Sequence, residues 1–168
     1  QFMYTKTIKR GLEPITNASI AIENRLRLVF PEDRIATEIT RPKIFLTIEE
    51  KEKAKNFLES NGISLTTPLI MVSVLGSEMR KTLPFEYMAT TIDTIAEKTG
   101  ANILLNYIPE QEDDARAIYR LCNYKTQKHI HMEVFAKSLR GFLAVLSHCD
   151  ALIGNEGGAI NMGKALEI

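Results

Sequence analysis

From Thr66 onward the sequence alternates short apolar runs rich in β-branched residues with longer amphipathic stretches, and no other feature restricts the possible fold as tightly. Residues 69–75 read as a buried strand closed by Gly76. Pro84 then opens a helix through Lys98, with Ile92, Ile95 and Ala96 on one face and Gly100 as its stop. A second strand spans 101–107, a helix with an acidic first turn spans 112–123, and a weaker third strand spans 129–134. Ser138 caps a helix running to His148, a fourth strand covers 151–154, and a further helix begins near Ala159. Strands separated by helices have to pair in parallel through right-handed crossovers, because the helices must cover the faces of the sheet. The fold class that follows is α/β, a Rossmann-like parallel sheet.

The first 65 residues are less regular. Thr47, with Glu50 three residues on, forms a capping box that opens a helix to about Ser60, where Asn61-Gly62 supplies the stop. Before it, residues 18–30 fit a helix, whereas Arg25-Leu-Arg-Leu-Val alternates like a strand, and the pattern does not separate the two. Residues 42–46 read as a short strand, and Pro31, Pro42 and the charges between them mark a connector. Residues 1–45 are therefore expected to connect to, or end, a preceding domain, and 46–168 to form the Rossmann-like one; 168 residues leave no room for two full-size domains. The chain starts at Gln1, with its first methionine at Met3, and stops at Ile168 inside the last helix without a stop signal. A truncated piece of a longer polypeptide is expected, with strand 151–154 as an uncovered edge open to self-association.

Lysine plus arginine and aspartate plus glutamate both number 21, so the overall field suits neither nucleic acid nor an anionic membrane surface. The apolar runs are far shorter than the ~20 residues needed to cross a bilayer, and the N-terminus carries no signal-peptide pattern. Cys122 and Cys149 match neither a disulfide nor a metal spacing, which suits a reducing cytoplasm. His129, His131 and His148 lack the spacing and neighbours of a metal site, so no metal is expected.

In an open parallel sheet, ligands bind beyond the carboxyl ends of the strands, where helix N-termini offer unpaired N–H groups. After the first strand comes Gly76-Ser77-Glu78-Met79-Arg80-Lys81. Glycine lets a phosphate approach the backbone, Ser77 donates a hydrogen bond and Lys81 supplies charge. No glycine precedes Lys81, so this is not a Walker loop, and a plain loop with a solvated lysine accounts for it equally well. After the last strand, Gly154-Asn155-Glu156-Gly157-Gly158-Ala159-Ile160-Asn161 enters a helix. The glycine pair there either admits a pyrophosphate to backbone N–H groups or serves a tight turn. Glu156, an anion, suits sugar hydroxyls or backbone N–H groups better than phosphate.

Taken together, Gly76-Ser77 with Lys81 and Pro84, then Ser138-Leu139, then Asp150-Ala-Leu-Ile-Gly-Asn-Glu-Gly-Gly-Ala-Ile-Asn with Ala165-Leu166, resemble glycosyltransferase family 9, the lipopolysaccharide heptosyltransferases, over about residues 42–168. That family binds its donor diphosphate and sugar with a motif of the form Asp-Ser/Thr-Gly-x-x-His-x-Ala. Here Glu156, Gly157, Asn161 and Gly163 stand at its Asp, Ser/Thr, His and Ala positions, so a hydroxyl and an imidazole donor are replaced by backbone N–H and a carboxamide. The resemblance implies the C-terminal, donor-binding half of a two-domain GT-B enzyme, with residues 1–45 ending or leading from an N-terminal acceptor domain. It implies donor diphosphate and sugar contacts at Ser77, Lys81, Glu156, Gly157, Gly158 and Asn161, and nucleotide contacts at Glu110 and Lys137. The donor would be an ADP-heptose-like nucleotide sugar, a substrate rather than a cofactor, and the acceptor a lipopolysaccharide-core or other glycan. The catalytic base is expected in the N-terminal domain, no metal is required, and the enzyme would work in the cytoplasm or at the inner membrane surface. Two alternatives remain at this level: a sugar-nucleotide epimerase of related fold, and a non-enzymatic α/β nucleotide-binding module.

Overall fold

The computed structural model describes residues 7–16, 19–35 and 42–168, and the chain divides into two compact units between Pro42 and Lys43. In the first, helix α1 (Ile20–Leu26) is followed by a single turn of helix, α2 (Glu32–Ile35). Its organising group is a carboxylate. Glu23 is completely buried and accepts hydrogen bonds from the backbone N–H of Ile15 (2.9 Å) and Thr16 (2.7 Å) and from the Thr16 hydroxyl (2.5 Å). The Thr16 hydroxyl above all, with the two amides and nearby Arg27, holds its pKa below the ordinary glutamate value. Asn24 closes the same turn, accepting from Gly11 N–H at 2.7 Å and donating to Gly11 C=O at 3.2 Å. The segment 25–29 thus completes a helix and its following turns and is not a strand. The start of the helix expected from Ala18, and the connector residues 36–41, lie outside the described residues.

In the second unit α3 (Ile48–Ser60) begins with the capping box read from the sequence: Glu50 N–H donates to the Thr47 hydroxyl and Thr47 N–H to the Glu50 carboxylate. Strand β1 (Leu69–Ser73) follows, then α4 (Phe85–Thr99), which ends at Gly100 in the left-handed conformation (φ 61°). Next come β2 (Asn102–Asn106), α5 (Glu112–Leu121), α6 (Tyr124–Gln127), α7 (Leu139–Leu146), β3 (Ala151–Gly154) and α8 (Gly158–Leu166). The three strands pair in parallel in the order β2-β1-β3, so β1 is central.

Because side chains alternate across a strand, β1 feeds two cores. Ile70 and Val72 join Ile103, Leu105, Met88, Ile92 and Ile118 on the face covered by α4 and α5. Leu69 and Met71 join Leu104, Leu58, Val145 and Leu146 on the face covered by α3 and α7. Burial on both faces is why β1 is apolar from Leu69 to Val72. On the second face Arg140, in the first turn of α7, clasps Glu50 of α3 through two nitrogens at 2.5 and 2.6 Å. Those bonds, and then Thr47 N–H, hold the Glu50 pKa down to about 2.

Several sequence expectations change. Residues 129–134 do not form a strand: the chain makes one parallel bridge, Ile130 to Ile103, and turns away. The helix expected over 112–123 breaks at Cys122, and Asp93 accepts from Asn123 N–H at 2.9 Å just ahead of α6. Gln127 meanwhile takes up the carbonyls of Tyr119 and Cys122. Residues 42–46 are not a strand either; Ile44 donates a single bond to Ala165 C=O at 2.9 Å. The helix from Ser138 ends at Leu146, ahead of His148. The last helix has a stop after all: Glu167 takes the left-handed conformation (φ 66°) and Ile168 N–H bonds back to Gly163 C=O at 3.0 Å.

Candidate functional site

The register aligns the carboxyl ends of the strands, with Ser73 opposite both Asn106 and Gly154. Beyond them lies a cleft of about 570 Å³. Its floor includes Ser73 and Asn106, whose side chains meet at 3.3 Å. Its walls are Gly76-Ser77 after β1, 107–109 and Gln111 after β2, 134–139 leading into α7, and 156–159 with Met162 after β3. Tyr107 and Phe135 supply an aromatic side, their rings 5.3 Å apart. Burial, aided by Glu112, raises the Tyr107 pKa and keeps the phenol neutral. Among the described residues, only Lys137 and Glu156 bring formal charge to this lining.

The glycines divide by role. Gly76 is packed against backbone: a Cβ there would lie 2.5 Å from the Lys81 carbonyl oxygen, so the loop closes on itself only with glycine. Gly154 has a φ of 142°, and a Cβ would collide with the Ser73 carbonyl. Gly157 and Gly158 are different. Gly157 is extended (φ 176°), and a Cβ on either residue would meet no atom closer than 3.9 Å. The turn therefore requires Gly154, while the following pair leaves unfilled space in the cleft wall. There α8 begins, with Asn161 N–H the first to reach back to Gly157 C=O. The preceding amides carry the positive end of the helix dipole.

Of the residues singled out in the sequence, Ser77, Lys137, Glu156, Gly157 and Gly158 line the cleft together. Lys81 ends the short 3-10 turn Met79–Lys81, exposed and outside the lining. Glu110 is exposed in the 3-10 turn Pro109–Gln111, between two lining residues, and Asn161 is exposed in the first turn of α8. The sequence reading missed Ser73, Asn106, Tyr107, Gln111 and Phe135, which also line it. Polar residues at strand carboxyl ends, Ser73 and Asn106 among them, were the available signal.

No group of three His, Cys, Asp or Glu able to hold a metal ion occurs among the described residues. Nor is any helix among them long and apolar enough to cross a membrane. Cys122 and Cys149 are buried free thiols, both pushed up to about 12 by desolvation.

The sequence matches no family model and no curated protein at a significant level. The structure does match solved ones. Glycosyl transferase family 9 from Veillonella parvula DSM 2008 is similar over 97% of this chain and 44% of that one, with a TM-score of 0.71 and 18% identity. E. coli ADP-heptose LPS heptosyltransferase II is similar over 74% of this chain and 37% of that one, with a TM-score of 0.63 and 16% identity. The chain thus spans less than half the length of each, and its α/β parallel-sheet fold is the one found in part of these glycosyltransferase structures.

Proposed function

We propose that this chain supplies the donor-binding part of a glycosyltransferase that moves a sugar, heptose or a relative, from a nucleoside diphosphate to a lipopolysaccharide-core-type acceptor in the cytoplasm. The observation that carries this reading is the pair of unfilled glycines, Gly157 and Gly158, at the start of α8 in a cleft that Ser77 also lines. A diphosphate seated there meets backbone N–H groups and the positive helix pole without displacing protein atoms. Ser77 donates from the opposite wall, and Lys81 supplies charge from the rim. Glu156 accepts from sugar hydroxyls, Asn161 donates through its amide, and Lys137 and Glu110 flank the nucleoside.

Transfer requires a base to take the proton of the acceptor hydroxyl as that oxygen attacks the anomeric carbon, while the bond from that carbon to the diphosphate oxygen breaks. Negative charge then builds on the departing diphosphate, which donors already in place stabilise without reorganisation. This chain's residues serve the leaving group, and the base belongs to the acceptor domain. The test is titration with ADP, UDP and GDP, followed by chemical-shift mapping. Shifts are expected at 76–81 and 156–161; shifts confined to the opposite edge of the sheet would overturn the reading. Lys81→Ala is expected to weaken donor binding by about one to two factors of ten, the ~1.5–3 kcal/mol of a charge-assisted hydrogen bond. Gly158→Val, which fills the open space, is expected to abolish binding while the melting temperature stays near that of the wild type.

A further inference from the structure

We propose that Asn155 is a positioning residue that braces the loop after β1 against the turn after β3, so that the two walls of the donor site are held as one; this rests on the donor-site reading above. The loop 76–83 carries Ser77 and Lys81, and its internal bonds run from Gly76 N–H to the Thr82 hydroxyl (3.0 Å) and from that hydroxyl to Glu78 C=O (3.1 Å). Both of its ends are also held from outside by carboxamides. At the start, Gln111 donates to Gly76 C=O at 2.9 Å. At the end, Asn155 accepts from Leu83 N–H at 2.8 Å and donates through the other half of its amide to Ser73 C=O at 3.2 Å. Asn155 N–H meets the same carbonyl at 3.2 Å.

The choice of side chain follows from these partners. A carboxamide accepts and donates at once, so Asn155 satisfies Leu83 N–H and Ser73 C=O together. A carboxylate of the same length accepts only, and places a negative charge next to the wall where a diphosphate would sit. Asn155 is not among the residues lining the cleft, so it acts through the loop it holds and through Glu156, Gly157 and Gly158, which follow it directly.

The test compares wild type, Asn155→Ala and Asn155→Asp by amide hydrogen exchange over 76–83 and by calorimetric titration with ADP, UDP and GDP. Asn155→Ala is expected to speed exchange at Leu83 and its loop neighbours and to weaken nucleotide binding about three- to tenfold, the scale of one hydrogen bond. Exchange in β2 and α4 should be unchanged. Asn155→Asp keeps the acceptor for Leu83 N–H, so its loop exchange should stay near wild type while affinity falls at neutral pH and recovers as the carboxyl protonates. A purely structural role would not produce that pH profile. Asn155→Ala with wild-type loop exchange, or with a loosened loop and unchanged affinity, overturns the proposal. If Asn155→Ala does not fold, wild-type affinity of Asn155→Asp at neutral pH overturns it instead. A wild-type protein that binds none of the three nucleotides overturns the donor-site reading, and the exchange data alone then decide whether Asn155 braces the loop.

Discussion

The two units of this chain are organised around opposite kinds of group. The larger is built on apolar side chains packed on both faces of a central strand, with Val72, Ile92, Ile103 and Ile118 completely buried. The smaller turns on the fully buried carboxylate of Glu23 and the amides and hydroxyl that point at it. Apolar contacts are insensitive to pH and tolerate small displacements. A buried carboxylate ties the structure to its charge and to a handful of directed bonds. The difference predicts where each unit breaks.

Cutting into the apolar core should have the largest effect. Ile103→Ala removes buried methyl groups from β2 and is expected to cost the larger unit about 2–5 kcal/mol, read by chemical denaturation. Bonds around residues 11–27 should exchange as in the wild type, and a matching loss there would erase the contrast. Gly154→Ala comes next, at about 1–3 kcal/mol, because alanine at a φ of 142° is strained and its Cβ meets the Ser73 carbonyl.

Glu23→Gln should leave the larger unit's melting unchanged and accelerate exchange at the amides of Ile15 and Thr16, which lose an anionic acceptor. Acid should do the same. The Glu23 pKa is lowered in the fold, so its contribution is complete above the ordinary value of 4.5 and is lost as pH falls through the lower folded value. Exchange at Ile15 and Thr16 that stayed slow through that acid range would show that the unit does not depend on the charge. The smallest effect belongs to the Arg140 and Glu50 clasp at the surface of the larger unit. Its contribution should be complete above pH 4.5 and disappear as pH falls to about 2, with Arg140→Ala barely moving the melting temperature.

The same contrast explains what could be read from the sequence. The doubly buried β1, the capping box at Thr47 and the left-handed Gly100 depend on residues near one another in the chain, and each appears as expected. The failures depend on distant partners. Residues 129–134 have a strand-like composition, but the pairing with β2 is limited to a single bridge at Ile130, closed by bonds from its two neighbours to Ile103. After α5 the chain is held by Asp93, 30 residues away from the Asn123 amide it accepts from. At the cleft, Ser77, Glu156, Gly157 and Gly158 all lie in the lining, each a few residues past the end of a strand. Which glycine the turn needs, however, depends on the Ser73 carbonyl, and that contact is invisible until β1 and β3 pair. Gln111 escaped notice for a similar reason, since its partner is the Gly76 carbonyl across the sheet edge.

The contacts around Ile44 also have a topological consequence. Ile44 N–H bonds to Ala165 C=O at 2.9 Å and Lys43 pairs with Glu167 at 3.3 Å, so the two ends of the larger unit lie side by side. A short glycine-rich linker joining residue 168 to residue 43 would bridge that gap, and the chain could be opened at the exposed Asn61-Gly62 turn. The order in which the strands and helices are strung together would change while every sheet pairing stayed in register. Such a circular permutant should keep the cleft at the carboxyl edge.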